Sequence, residues 1–290
     1  MGDKLAIVTP AKNEAKNIRN LIQGMAKQTR KPDLWIFIND GSTDDTVQVF
    51  EKELGNHPSA FKNTIVQRVD YEDVEKSYAL GPKYSRIIKF GLEQIFDLEK
   101  KNKADYDFVG ILDSDVVPEK DYYRSLLENF RKDSKLGIAS AARQLEDYGS
   151  EIITSYVNRS FAPSGFRVWR RKCLNDTGYK ISVSQDAVSA AKAIMMDWKV
   201  RSFPDLEVRL RQRGAKFGYE YYGKSAYMRH VPYLYVWAGA ARMFLKGKKV
   251  DARQYINGYK EASKQKVGRI DDPLAIKYFR HRFYYKLLGK

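Results

Sequence analysis

Two carboxylates stand one residue apart where an apolar run stops: Phe108 to Leu112 is followed by Asp113, Ser114 and Asp115. The run predicts a buried strand. In an open α/β sheet the carboxyl ends of strands face the ligand crevice. Two negative charges held this close repel unless a cation sits beside them. A few oxygen ligands, completed by phosphate and water, suit Mg²⁺ or Mn²⁺. Asp and Ser are also common turn residues, so a solvated turn would use the same letters. The pair acquires meaning only from what other strands bring to the same edge.

Those strands precede it. Leu5 to Val8 predicts a first strand, ending in Thr9-Pro10 with Glu14 four residues on. Ile18, Leu21, Ile22 and Met25 then recur at helical spacing. Leu34 to Ile38 predicts a second strand, closed by Asn39-Asp40-Gly41, and Ser42 to Asp45 reads as a capping box. Thr64 to Val69 is a third strand, and Tyr84 to Leu98 an amphipathic helix. Pro118, a residue suited to a first helical turn, predicts a helix reaching Phe130, before a strand at Ile138 to Ala142. Such alternation predicts βαβ units and a mostly parallel sheet. Beyond Arg143 the pattern weakens. Gln144 to Ser155 reads as a polar loop, Ser182 to Gln185 as a second capping box before a helix at Ala187 to Met196, and Lys199 to Phe203 as a short strand.

Composition bounds the alternatives. At 43% hydrophobic over 290 residues the chain can bury a full core. Its 52 basic against 36 acidic residues give a formal charge of +16, which favours anionic partners. A nucleic-acid-binding protein is one rival, but the basic residues are spread along the chain and no docking motif occurs, so no nucleic acid is expected. The single cysteine, Cys173, excludes an internal disulfide and a cysteine-based zinc site. The N-terminus lacks the apolar core of a signal peptide, and no apolar run is long enough to span a membrane. A cytoplasmic location is expected. The basic, aromatic segment Pro273 to Leu288, with Tyr233 to Leu245, could lie on an anionic cytoplasmic membrane face or pack as ordinary helices.

The combination VTPAKNEAKNI, FINDGSTDDT and GILDSDVVP, in this order, resembles the family 2 glycosyltransferases of the GT-A fold. The resemblance covers Leu5 to about Phe130 closely and continues loosely to about His230. It implies an α/β fold with a mostly parallel central sheet, a catalytic domain over 1–230 and a mainly helical C-terminal extension over 231–290. It implies inverting transfer of a sugar from a nucleotide-diphosphate donor, most often a UDP-sugar, to a glycan or lipid-linked acceptor, with Mg²⁺ or Mn²⁺. Residue by residue it suggests Pro10 and Glu14 against the nucleoside, Asp40 on the base edge and Lys83 approaching the nucleotide. Asp113 would orient ribose and metal, and Asp115 would bind the metal, with His230 as a further ligand. Gly165 and the arginine-bearing strand with Arg170 would line the sugar pocket. Asp186, in Gln185-Asp186, would be the general base, although the first acid of the family's usual acidic pair is missing; Asp205 and Glu207 are weaker substitutes. Outside the resemblance each has a plain structural reading: Asp186 a helix-start residue, His230 a packed histidine, and Arg209, Arg211 and Arg213 either phosphate-facing or solvated. A nucleotidyltransferase of related fold is the alternative within the class, but TPAKNEAKN lacks the glycine of a phosphate loop.

Overall fold

The computed structural model describes residues 3–72, 82–102, 104–147, 151–211 and 218–287. The first half is a βα series: β1 (Leu5–Ala11), α1 (Ala15–Lys27), β2 (Leu34–Asn39), α2 (Thr46–Gly55), α3 (Pro58–Phe61), β3 (Ile65–Asp70), α4 (Pro82–Asn102) and β4 (Phe108–Ile111). There follow β5 (Val116–Pro118), α5 (Tyr122–Lys132), β6 (Leu136–Asp147), β7 (Ile152–Tyr156), a 3-10 turn at Ser164–Phe166, β8 (Val168–Arg170), α6 (Arg171–Thr177), α7 (Gln185–Met195) and β9 (Lys199–Arg211). Four longer helices and a short one close the chain: α8 (Gly218–Met228), α9 (Tyr233–Leu245), α10 (Lys249–Lys264), α11 (Pro273–Arg280) and α12 (Arg282–Leu287).

The strands form one sheet in the order β3-β2-β1-β4-β8-β6-β9-β5, with β7 also on β6. The pairs β1–β2, β2–β3, β1–β4 and β6–β9 are parallel, and β8 runs antiparallel between β4 and β6. Both faces are covered, which is why β1 and β2 read as unbroken apolar runs. Leu5, Ile7, Trp35 and Phe37 face a core closed by α1 and α5, while Ala6, Val8, Leu34, Ile36 and Ile38 face one closed by α4 and α7. A third cluster joins Val188 and Ala191 of α7 to α8–α11. The helical part starts before residue 231, because α8 already crosses α10 closely. A β-carbon at Gly223 would come 2.8 Å from the Tyr259 nitrogen, and one at Gly258 would come 2.7 Å from the Glu220 carbonyl carbon.

Several local expectations change. Gln144 to Ser155 is not a loop: β6 continues to Asp147, and β7 pairs back onto it. The strand was hidden because its inward positions are polar. Gln144 and Glu146 are buried while Arg143 and Asp147 face out, the reverse of the usual alternation. β9 likewise runs on to Arg211. Pro118 ends β5 opposite Val208, and α5 starts only at Tyr122. Neither expected capping box forms: α2 starts after Asp45 and α7 after Ser184, with no side-chain cap at either.

Candidate active site

The loops after β1 and β2 are stitched together by side chains, and this fixes the first part of the site. Asn13 accepts from the Thr43 amide (2.7 Å), and the Ser42 hydroxyl accepts from the Asn13 amide (3.1 Å). Thr46 accepts from the Glu14 amide (2.7 Å), and Asp44 accepts from both the Ala15 and Thr46 amides. Asp44 therefore serves the first turn of α1 as well as its own helix. Slight burial raises its pKa, but the bonds from Thr46 and Ala15 outweigh this and hold it below the usual carboxylate range. Pro10 lies opposite Ile38 in the β1–β2 ladder. One step on, Asp40 donates its amide to Ala11 and turns a buried carboxylate toward two lysines, Lys83 at 3.0 Å and Lys12 at 3.5 Å.

The second part follows β4. Asp113 donates its amide to the Gly165 carbonyl (2.7 Å) and accepts from the Tyr84 hydroxyl (2.6 Å). Gly165 is required here: a β-carbon would land on the Asp113 carboxylate, 2.9 Å from its carbon. Burial, and then the charge of Asp115, push Asp113 up to about 7 against the pull of the Tyr84 bond. Burial also holds Tyr84 well above its ordinary pKa, with Asp113 adding to it, so Tyr84 keeps its proton and donates. Asp115 is met by Arg211, whose Nε lies 2.6 Å away, and the same guanidinium reaches Glu14 at 3.2 Å. Burial raises Glu14 as well, opposed by Asn17 and Arg211. Glu14 and Asp115, from different loops, thus share one cation supplied by the end of β9.

A cavity of about 200 Å³ opens beside Asp113, lined by Tyr84, Ser164, Ser184, Gln185, Asp186 and Tyr221. Gln185 donates to Ser164 (2.6 Å), Ser164 to Tyr84 (3.3 Å), and Tyr84 to Asp113, so α7 is wired to the strand-end carboxylate. Asp186 accepts from the Ala187 amide (2.8 Å), while its carbonyl accepts from Arg167 (3.3 Å). Arg167 is buried, bonded to the Ala162 and Pro163 carbonyls and stacked on Trp169. Burial lowers its pKa, and the charge of Asp186 opposes that. Burial lowers Arg229 too, with Asp186 again opposing.

The structure thus brings Asp40 together with Lys83, Glu14 with Asp115, and Gly165 and Asp186 with Asp113. Two expected residues lie elsewhere. Arg170 pairs with Phe108, at the opposite end of β4 from Asp113, and its guanidinium bonds the Phe130, Asp133 and Leu136 carbonyls. It lies three positions after Arg167, the arginine that does reach the cavity side, because β8 runs away from the site. His230 is engaged through both ring nitrogens, by the Ile270 carbonyl (3.2 Å) and Arg269 (3.3 Å), within the helical part. It does not line the cavity beside Asp113. Of the substitute bases, Glu207 is paired with Arg143 at 3.0 Å. Residues not singled out beforehand are Tyr84, Ser164, Gln185, Arg167 and Tyr221. Tyr84 carried a signal only as the start of a helix, and the glutamine that replaces the expected acid was itself the signal for Gln185.

The description "Glycosyl transferase family 2" matches residues 6–79, the stretch holding Glu14 and Asp40. Poly-beta-1,6-N-acetyl-D-glucosamine synthase of Staphylococcus epidermidis is 24% identical over 219 residues, 69% of this chain and 46% of its own. The protein of the same name from Staphylococcus aureus strain COL is 24% identical over 207 residues, 65% of this chain and 43% of its own. The chain therefore spans about half the length of the curated relatives it matches. Among solved structures, S. aureus TarS 1-349 in complex with UDP-GlcNAc gives a TM-score of 0.54 at 17% identity, covering 77% of this chain and 64% of that one. Mannosyltransferase PcManGT from Pyrobaculum calidifontis, in complex with GDP-Man and Mn²⁺, gives 0.56 at 15%, covering 99% and 81%. These structures share the GT-A arrangement of sheet and flanking helices described above. Residues 6–79 thus match the family 2 glycosyltransferase model, and the fold of the chain is similar to that of these GT-A structures.

Proposed function

We propose that the protein transfers a sugar, with inversion, from a nucleotide-diphosphate donor to a hydroxyl of a glycan or lipid-linked acceptor. The observation that carries this reading is the convergence of Asp40, Glu14, Asp113 and Asp115 at one sheet edge, with Gly165 pressed against Asp113. Asp40 faces the end where a nucleoside would lie against Pro10. A carboxylate accepts from the ring N–H that uracil and guanine present, and a UDP-sugar is the donor we favour. Lys83 and Lys12 fix the orientation of Asp40.

The donor set fits a divalent cation. Asp113 is raised by burial and then by its neighbour's charge, and Glu14 and Asp115 already draw a guanidinium between them. Among the described residues no group of three or more His, Cys, Asp and Glu could hold a metal. Asp115, with Asp113 beside it, would hold Mg²⁺ or Mn²⁺ whose shell is completed by diphosphate and water. Bound there, the cation would offset the charge that develops on the leaving diphosphate. The chain's own groups do the rest. Arg211 is placed to meet phosphate oxygens once released from Asp115. Gly165 lets the backbone approach the donor sugar. Asp186, in the cavity beside Asp113, takes the proton of the attacking hydroxyl.

Ligand-induced stabilisation tests this. UDP with Mn²⁺ is expected to raise the melting temperature, chelator to remove most of that rise, and Asp115→Asn to lose the metal-dependent part while melting near wild type alone. No stabilisation by UDP, GDP or their sugars, with or without Mn²⁺, refutes the reading.

A further inference from the structure

Helix α9 is apolar on both sides, yet among the described residues only one side is covered. Val236 and Ala240 are buried against the helical cluster. The opposite face carries Leu234, Trp237, Ala238, Ala241 and Leu245, spaced as i, i+3, i+4, i+7 and i+11, and all are exposed. Leu234 is 75% exposed and Leu245 86%, with Trp237 and Phe244 more than half exposed beside them. A helix hydrophobic all round is ordinarily buried or in contact with lipid. An exposed apolar face of this kind marks an interaction surface.

The charge around the face identifies what covers it. Residues 233–250 contain Arg242, Lys246, Lys248 and Lys249 and no acidic residue. The Lys249 ammonium lies 5.4 Å from the Phe244 ring centre, at the rim of the apolar strip. The thirteen residues of α9 extend only about 20 Å, against roughly 30 Å for a hydrocarbon core. No helix of the described residues is long and apolar enough to cross a membrane. The helix is built to lie in an interface, not to span it. Pairing this face with a second copy would bring two sets of four cations together, in a chain already at +16. An anionic bilayer surface satisfies both the strip and its rim.

We infer that α9 and the lysines after it form a membrane-docking face that lays the apolar strip of Leu234, Trp237 and Leu245 into an anionic lipid surface. This surface stands independently of the transfer reading, since it uses none of the residues at the sheet edge. If both hold, the cleft works beside a bilayer, where lipid-linked acceptors reside.

The test is co-sedimentation of the full chain with phosphatidylcholine vesicles, with and without phosphatidylglycerol. Trp237 fluorescence is the second readout, compared with Trp237→Phe to subtract the half-buried Trp198; Trp35 and Trp169 are buried. Wild type is expected to pellet with the anionic vesicles only, more weakly at high salt, and with a blue shift. Leu234→Ser/Leu245→Ser is expected to lower partitioning more than about tenfold. Lys246→Glu/Lys248→Glu/Lys249→Glu is expected to lower it by roughly a hundredfold on anionic vesicles. All these side chains are exposed, so unchanged circular dichroism and melting should accompany the losses. The inference is overturned if wild type stays in the supernatant at low salt, or if the serine variant binds like wild type. It also fails if light scattering shows a wild-type dimer that the serine variant dissociates, for then a second copy covers the face.

Discussion

Arg211 joins Asp115 through a 2.6 Å contact from its Nε, just beyond the residues Val116 and Leu210 where β5 and β9 pair. The same side chain holds Glu14 at 3.2 Å. A guanidinium thus occupies Asp115, the carboxylate proposed to bind the metal, and ties it to Glu14. Arg211→Ala is expected to tighten Mn²⁺ binding to the donor-free protein by about tenfold, since a competing charge is removed. Binding of the nucleotide diphosphate should weaken in the same variant. Calorimetric titration of Mn²⁺ and of UDP separately checks both, and an unchanged Mn²⁺ affinity would show that Arg211 does not compete.

The Asp40–Lys83 pair is buried on both sides, at 7% and 6% side-chain exposure. Removing one partner from such a pair is costly because the other charge remains in low dielectric. Lys83→Met is expected to cost about 3 kcal/mol in urea unfolding. Asp40→Asn combined with Lys83→Met should cost less than the sum of the single changes, the signature of direct coupling. Additive losses would mean the two are stabilised by other partners.

Gly165→Ala probes close approach. Its β-carbon would overlap the Asp113 carboxylate, so the 3-10 turn must shift or the carboxylate must rotate off Tyr84. Overpacking of this kind costs about 1–3 kcal/mol. Donor affinity is expected to fall more than stability alone would explain. A variant with wild-type donor binding and melting would show that the turn gives way freely.

Asp186→Asn keeps size and the bond to the Ala187 amide while removing the proton acceptor. Turnover is expected to fall by at least about a hundredfold, with donor and metal affinity near wild type. Retained turnover with a lowered melting temperature would make Asp186 a helix-start residue, and the proton acceptor would have to be sought elsewhere.

The parts of this site that could be read from sequence are those where apolar strands stop abruptly at polar residues. Phe108 to Leu112 and Leu34 to Ile38 are continuous runs because both sheet faces are covered, and Asp113, Asp115 and Asp40 follow them directly. Glu14 stands close behind β1. The rest depends on long-range register. Arg170 and Arg167 lie on one short segment, and only the antiparallel pairing of β8 with β4 decides which of them points toward the site. Gln144 and Glu146 bury polar side chains, so the β6–β7 pairing has no apolar alternation to betray it. Arg211 stood in an alternating arginine series that fits solvent as well as phosphate, until β9 proved long enough to carry it to Asp115. Ser42 satisfies a helix-start pattern, yet bonds Asn13 across the neighbouring loop.

Every donor in the series Gln185, Ser164, Tyr84 points the same way, toward Asp113. Each hydroxyl accepts from the group behind it and gives to the one ahead, so none can reverse alone without leaving two protons or two lone pairs facing each other. A change of charge at Asp113 strengthens or slackens the whole series at once. Its far end is the first residue of α7, adjacent to Asp186. The first turn of α7 is thus tied to the charge state of Asp113 by three hydrogen bonds that all run one way.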